Sequence, residues 1–216
     1  MSERVRLFYE KRGGACFVPH VALATLFARS ARRAGIELRS TDGFSPHAKM
    51  SFGPELPAGV VALSEPVDVW IREKIEAEDL VTRWSAQMPE GFRITGSLFP
   101  AEDAPALGKV CKAAHYWIWS RDWSAMPELL SRLKSHYGED VLQAELANCE
   151  QDGRERISFL VAGPARNGIG GWVKALVAEG IVAGWQDLCI VRVALGQWDG
   201  ERMKPLTEEG IACLQM

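Results

Sequence analysis

Residues 4–40 read RVRLFYEKRGGACFVPHVALATLFARSARRAGIELRS, and the fold is decided there. Over residues 4–11, Val5, Leu7 and Tyr9 alternate with charged neighbours, the period-2 pattern of a half-buried strand. Over residues 20–34 the period lengthens. Leu23, Leu26, Phe27, Ser30, Ala31 and Ala34 fall on one helical face, while Arg29, Arg32 and Arg33 point largely the other way. Gly35 stands where a helix commonly stops, and residues 36–40 predict a second strand.

Outward from this stretch, residues 42–59 are rich in Gly and Pro and predict a long loop, followed by a strand over residues 65–72. A helix over residues 77–87 carries Leu80, Val81 and Trp84, is stopped by Pro89 and Gly91, and leads to a strand over residues 92–99. After a loop at residues 100–108 the order repeats. Residues 110–120 read as a strand, residues 125–137 as a helix with Leu129, Leu130 and Leu133 inward, and residues 143–150 and 155–161 as a hairpin across Gln151-Asp152-Gly153-Arg154. A short helix over residues 171–179 and a strand over residues 187–195 complete the pattern, and the residues after Gly196 read as a tail. An α+β fold of two tandem ferredoxin-like (βαββαβ) units, residues 1–105 and 106–216, is the simplest expectation. The duplication rests on element order, since no residue-level repeat accompanies it.

The chain is long enough for two such units, and its hydrophobic content of 47% with 25% charged residues is that of a globular protein rather than a disordered one. No apolar run reaches the ~18 residues of a membrane span and no signal-like segment opens the sequence, so a cytoplasmic protein is expected. The 5 cysteines are scattered, which argues against a disulfide framework or a metal knuckle. Charge is unevenly spread. Residues 1–53 hold nine Lys/Arg against four Asp/Glu, a local charge of +5, so the remainder carries −8 of the net −3. An anionic partner at the N-terminal end fits this polarity, as does a merely solvated helix face.

The densest candidate is the loop Thr41-Asp42-Gly43-Phe44-Ser45-Pro46-His47-Ala48-Lys49-Met50-Ser51-Phe52-Gly53-Pro54. Proline stiffens such a loop and glycine lets its backbone approach a ligand. Backbone N–H groups, Ser45, His47, Lys49 and Ser51 could meet a phosphate or carboxylate while Phe44 or Phe52 stacks on a base. The bland alternative is a rigid turn with its aromatics packed inward. His20, at the start of the first helix, could meet His47 as an acid–base pair or simply end an element. Arg29, Arg32 and Arg33 could track a phosphate backbone. Residues 163–171 open a helix but lack the ending of a Walker loop and the third glycine of a dinucleotide fingerprint. Neither Gly-x-Ser-x-Gly nor His-Glu-x-x-His occurs, so no self-sufficient catalytic motif is present, binding ranks above catalysis, and no cofactor is expected.

Residues 17–35 (FVPHVALATLFARSARRAG) and 42–60 (DGFSPHAKMSFGPELPAGV) resemble a bacterial family of unknown function described as radical-SAM-linked, or radical-SAM-associated, proteins, domain of unknown function 2344. The resemblance lies in His20, Arg32 to Gly35, Gly43 to Phe52 and Leu56 to Val60, and it departs at Ala22, where an acidic residue is expected. In that family the domain stands alone or follows a radical S-adenosylmethionine enzyme. The resemblance implies such an enzyme as a separate partner, because no two cysteines here are spaced for an iron–sulfur cluster. Three functions follow as expectations: an accessory protein binding an anionic ligand, RNA in particular, a metal-independent ribonuclease using His20 and His47, or a docking module for a radical SAM enzyme. The second finds a fold-level parallel in the tandem ferredoxin-like RNA-processing proteins of CRISPR systems. Nothing in the sequence points to DNA or to a membrane.

Overall fold

The computed structural model describes residues 3–148 and 155–207. Its elements run β1 (Glu3–Lys11), α1 (His20–Arg33), β2 (Met50–Phe52), β3 (Val61–Ile71), α2 (Ala77–Ser85) and β4 (Phe92–Leu98). They continue with α3 (Leu107–Val110), β5 (Ala113–Ser120), α4 (Met126–Tyr137), β6 (Val141–Asn148), β7 (Glu155–Ala162), α5 (Ile169–Ala178), β8 (Leu188–Trp198) and β9 (Met203–Pro205). The class is mixed α+β. Nine strands form one sheet in the order β4-β1-β3-β8-β5-β7-β6, with β2 added to β3 and β9 to β8.

The two halves meet where β3 and β8 run parallel, Val61 opposite Val191 and Ala62 opposite Arg192. The pairings on either side of this seam are antiparallel. In the N-terminal half Val5, Leu7, Tyr9, Val67, Val69 and Ile71 pack under Leu23, Phe27 and Ala31 of α1 and Leu80 and Trp84 of α2. In the C-terminal half Tyr116, Ile118, Ile157 and Phe159 pack under Leu129 and Leu133 of α4 and Trp172, Val173 and Leu176 of α5. Both helix pairs cover the same face. Arg192 lies beside Ala62 of the second core yet bonds Glu65, whose cross-strand partner Tyr9 sits under α1. The opposite face of the C-terminal half carries a smaller cluster that includes Val193, Leu160, Trp117, Trp119 and Trp198.

Ser30 interrupts the apolar stripe of α1 for a physical reason. Its hydroxyl accepts the Trp84 indole N–H at 2.8 Å and donates to the Phe27 carbonyl at 2.9 Å, so two buried polar groups satisfy each other between α1 and α2. Gly35 adopts φ 70°, and Arg83 of α2 donates to the carbonyls of Ala34 and Gly35, closing the C-terminus of α1.

Two expectations are corrected. The segment at residues 36–40 is not a full strand: it makes only isolated bridges, Leu38 to Ile71 and Ser40 to Ala48, and the second strand of the half lies later, at Met50–Phe52. The chain runs along the edge of β3, leaves it, and returns one position further on. Residues 197–205 are likewise no tail, since β8 continues to Trp198 and turns back into β9. The turn expected at residues 151–154 lies outside the described residues. Among the described residues no helix is long and apolar enough to cross a membrane.

Candidate functional site: a basic groove beside the first helix

The excursion from β3 is a small hairpin over residues 40–48. Ser40 bridges Ala48, the Thr41 N–H donates to the His47 carbonyl at 2.7 Å, and the Lys49 N–H donates to the Arg39 carbonyl at 2.7 Å. Thr41 Oγ1 also accepts the His47 backbone N–H at 3.2 Å and lies 3.2 Å from His47 Nδ1, fixing the imidazole at the base of the hairpin. Gly43, at φ 125°, permits the turn, and Phe44 at its tip is fully exposed with Ser45 beside it.

Between this hairpin and α1 lies an open groove of about 700 Å³ lined by Thr25, Arg29, Arg32, Ser40, His47 and Ala48. It continues past Arg32 toward Glu37, whose carboxylate is held by Arg72 at 3.3 Å. Arg29 and Arg32 are exposed and take part in no ion pair or side-chain hydrogen bond among the described residues. Other arginines behave differently: Arg4, Arg6, Arg12, Arg72, Arg83 and Arg132 each face a carboxylate within 4 Å. Two free guanidiniums and a histidine in one concavity with no carboxylate on its Arg29 side can hold an anion, bidentately where it offers paired oxygens.

The remaining candidates go elsewhere. Arg33 turns toward α2 and donates to the Gln87 carbonyl at 2.5 Å. Lys49 stacks its ammonium 4.5 Å from the Trp70 ring, and Ser51 lies opposite Asp68. Met50 and Phe52 pack toward the core under α1, so by alternation Lys49 and Ser51 belong to the other face of the sheet. His20 opens α1 with its ring 5.7 Å from Phe52, and burial holds its pKa below the ordinary value while Glu55 pulls it up. His47 contacts Thr41 and Ser45 of its own hairpin, and among the described residues no hydrogen bond or ring contact joins it to His20.

Buried charges that no sequence motif marks stand behind His20. Arg192 forms a two-pronged pair with Glu65, at 2.6 and 2.5 Å, and donates to the carbonyls of Pro54 at 2.8 Å and Glu55 at 3.1 Å. This clamp from β8 fixes the chain that leaves β2. Lys11 is buried too, its ammonium 2.9 Å from the Val18 carbonyl and its pKa lowered by burial. The available signal was a single arginine inside the apolar run Cys189-Ile190-Val191-Arg192-Val193-Ala194-Leu195, since a charge there must find a partner. Among the described residues no group of three or more His, Cys, Asp or Glu side chains is arranged to hold a metal ion.

The fold and this groove define a mixed α+β protein of one continuous sheet with a basic concavity in its N-terminal half. Residues 4–157 match the profile of an uncharacterised protein family conserved in bacteria, DUF2344, and the chain belongs to that family. No curated protein matches it significantly. Among solved structures, similar chains include an unknown protein from Galdieria sulphuraria (10% identity, 89% of this chain and 99% of that one, TM-score 0.29). A putative glycine cleavage system transcriptional repressor is similar at 10% identity over 89% of this chain and 99% of that one, TM-score 0.25. The NONO-1 homodimer of C. elegans is similar at 17% identity over 98% of this chain and 72% of that one, TM-score 0.24. Likenesses at these scores carry no argument about fold or function.

Proposed function

We propose that the groove between α1 and the residue 40–48 hairpin binds an anionic polymer, RNA in particular, and that the chain is a non-catalytic accessory protein. One observation carries this: Arg29 and Arg32 line the same groove as His47 and Ser40 and are left without partners among the described residues, where the other arginines are largely paired. Repeated phosphates would supply the missing acceptors, with an affinity that falls as salt rises.

Each half is, in this account, a ferredoxin-like unit, residues 1–105 and 106–216. The strand orders β4-β1-β3-β2 and β8-β5-β7-β6 support it, since both place the first strand of a half between its fourth and third. The likeness of residues 17–60 to radical-SAM-linked proteins supports a cytoplasmic role beside a separate radical SAM enzyme. Inorganic polyphosphate, which has charge but no bases, tests the groove alone. Its titration should shift the backbone amide resonances of Arg29, Arg32 and His47; shifts absent there, or confined to the C-terminal half, would overturn the proposal.

A further inference from the structure

The face of the C-terminal half that carries no helix among the described residues is built around one strand. Along β5, His115, Trp117 and Trp119 occupy alternate positions, with the Trp117 ring 6.0 Å from His115 and 6.3 Å from Trp119. From β7 the Arg156 guanidinium lies 3.8 Å over the Trp117 ring, and Ser158 Oγ lies 2.9 Å from His115 Nε2. Trp117 and Trp119 remain half-exposed, whereas the aromatics of the helix-covered face, Tyr116 and Phe159, are fully buried.

Two polar groups in this cluster are unfinished. Arg156 is 7% exposed and His115 4% exposed, yet Arg156 Nε and His115 Nδ1 have no hydrogen-bond partner among the described residues. Arg156 faces no carboxylate among the described residues. The acid nearest it in the strand pattern, Glu145 opposite Ser158, already accepts from Gln143 at 3.0 Å. Buried polar groups left open cost stability, so two of them around one tryptophan mark a surface completed by something else. Burial, and then the Arg156 charge, pushes the His115 pKa down to about 4, so the imidazole stays neutral near pH 7 and can donate or accept.

We infer that Trp117 and Trp119, with the Arg156 guanidinium backing the Trp117 ring, form a platform on which unpaired nucleobases of RNA stack. Flat aromatic and guanidinium surfaces on the open face of a sheet suit single-stranded RNA, whose bases can splay out and stack. The inference rests on the proposed preference of the groove for RNA: the groove holds phosphates and the platform reads bases.

The test compares a uridine decamer with inorganic polyphosphate. Trp117→Leu/Trp119→Leu should bind the decamer at least about tenfold more weakly. Trp117→Phe/Trp119→Phe should restore most of that affinity, and neither variant should change polyphosphate binding. Ultraviolet crosslinking of the decamer to the unaltered protein, which avoids any folding defect, should label the peptide containing Ala113–Ser120. Unchanged decamer affinity in the Leu variant, or crosslinks only at α1 and the hairpin, would overturn the platform and leave the face to a protein contact. Native protein that binds polyphosphate but not the decamer would overturn the platform alone, and binding of neither would remove the groove as well.

Discussion

Glu65 and Arg192 are among the most deeply buried charged side chains of the chain, and each is tolerable only because of the other. Removing one partner strands the other charge in a dry interior, at a cost of about 3–5 kcal/mol. Glu65→Ala is therefore expected to lower unfolding stability by that amount in a urea titration, whereas exposed Glu128→Ala should change it by less than about 1 kcal/mol. His115 gives a second residue-scale outcome. Its folded pKa of about 4 lies below the ordinary 6.5, so the unfolded chain binds the extra proton first as pH falls. The stability it contributes is complete above about pH 6.5 and is lost between 6.5 and 4, on the order of 3 kcal/mol. Unfolding measured across that window should show a shallower slope in His115→Leu than in the native chain; identical slopes would contradict the buried neutral imidazole.

At the scale of elements, the edge of β3 shows what the hairpin over residues 40–48 contributes. Leu38 points into the core beside Ile71, Arg39 points out, and Met50 points in beside Val69. Joining Arg39 directly to Met50 preserves the alternation of a single strand. Deleting residues 40–49 should thus leave a folded protein, with stability within about 1 kcal/mol by denaturant titration, while polyphosphate binding is lost. The same edge explains how far the sequence could be read. The periodicity of residues 20–34 was strong enough to locate α1 and its arginine face, because a helix announces itself over several turns. Residues 36–40 and 50–52 are two fragments of one strand, and neither is long enough to outweigh the glycines and prolines between them. The hairpin was legible as a candidate site from its composition. That Lys49 would stack on Trp70 and Arg33 bond Gln87, while Arg29 and Arg32 stayed free, depends on neighbours distant in sequence.

For the whole molecule, the junction of the halves sets the behaviour. β3 pairs with β8, Arg192 of β8 bonds Glu65 of β3, and Arg4 and Arg6 of β1 hold Asp68 and the carbonyls of Ala104 and Pro105 in the connecting segment. No periodicity in the sequence could reveal that Val61 meets Val191, since the pairing is set by three-dimensional closure of the sheet. These ties predict one cooperative thermal transition, reported alike by Trp84 in the first half and Trp172 in the second; two separated transitions would show the halves to be independent. The central claim concerns the groove, and it is tested most directly by RNA affinity over a salt series for the native chain and for Arg29→Ala/Arg32→Ala. The account predicts that native binding falls steeply with salt, and that the double variant binds more weakly with a slope reduced by roughly two. Equal affinity and equal slope in the two proteins would contradict it.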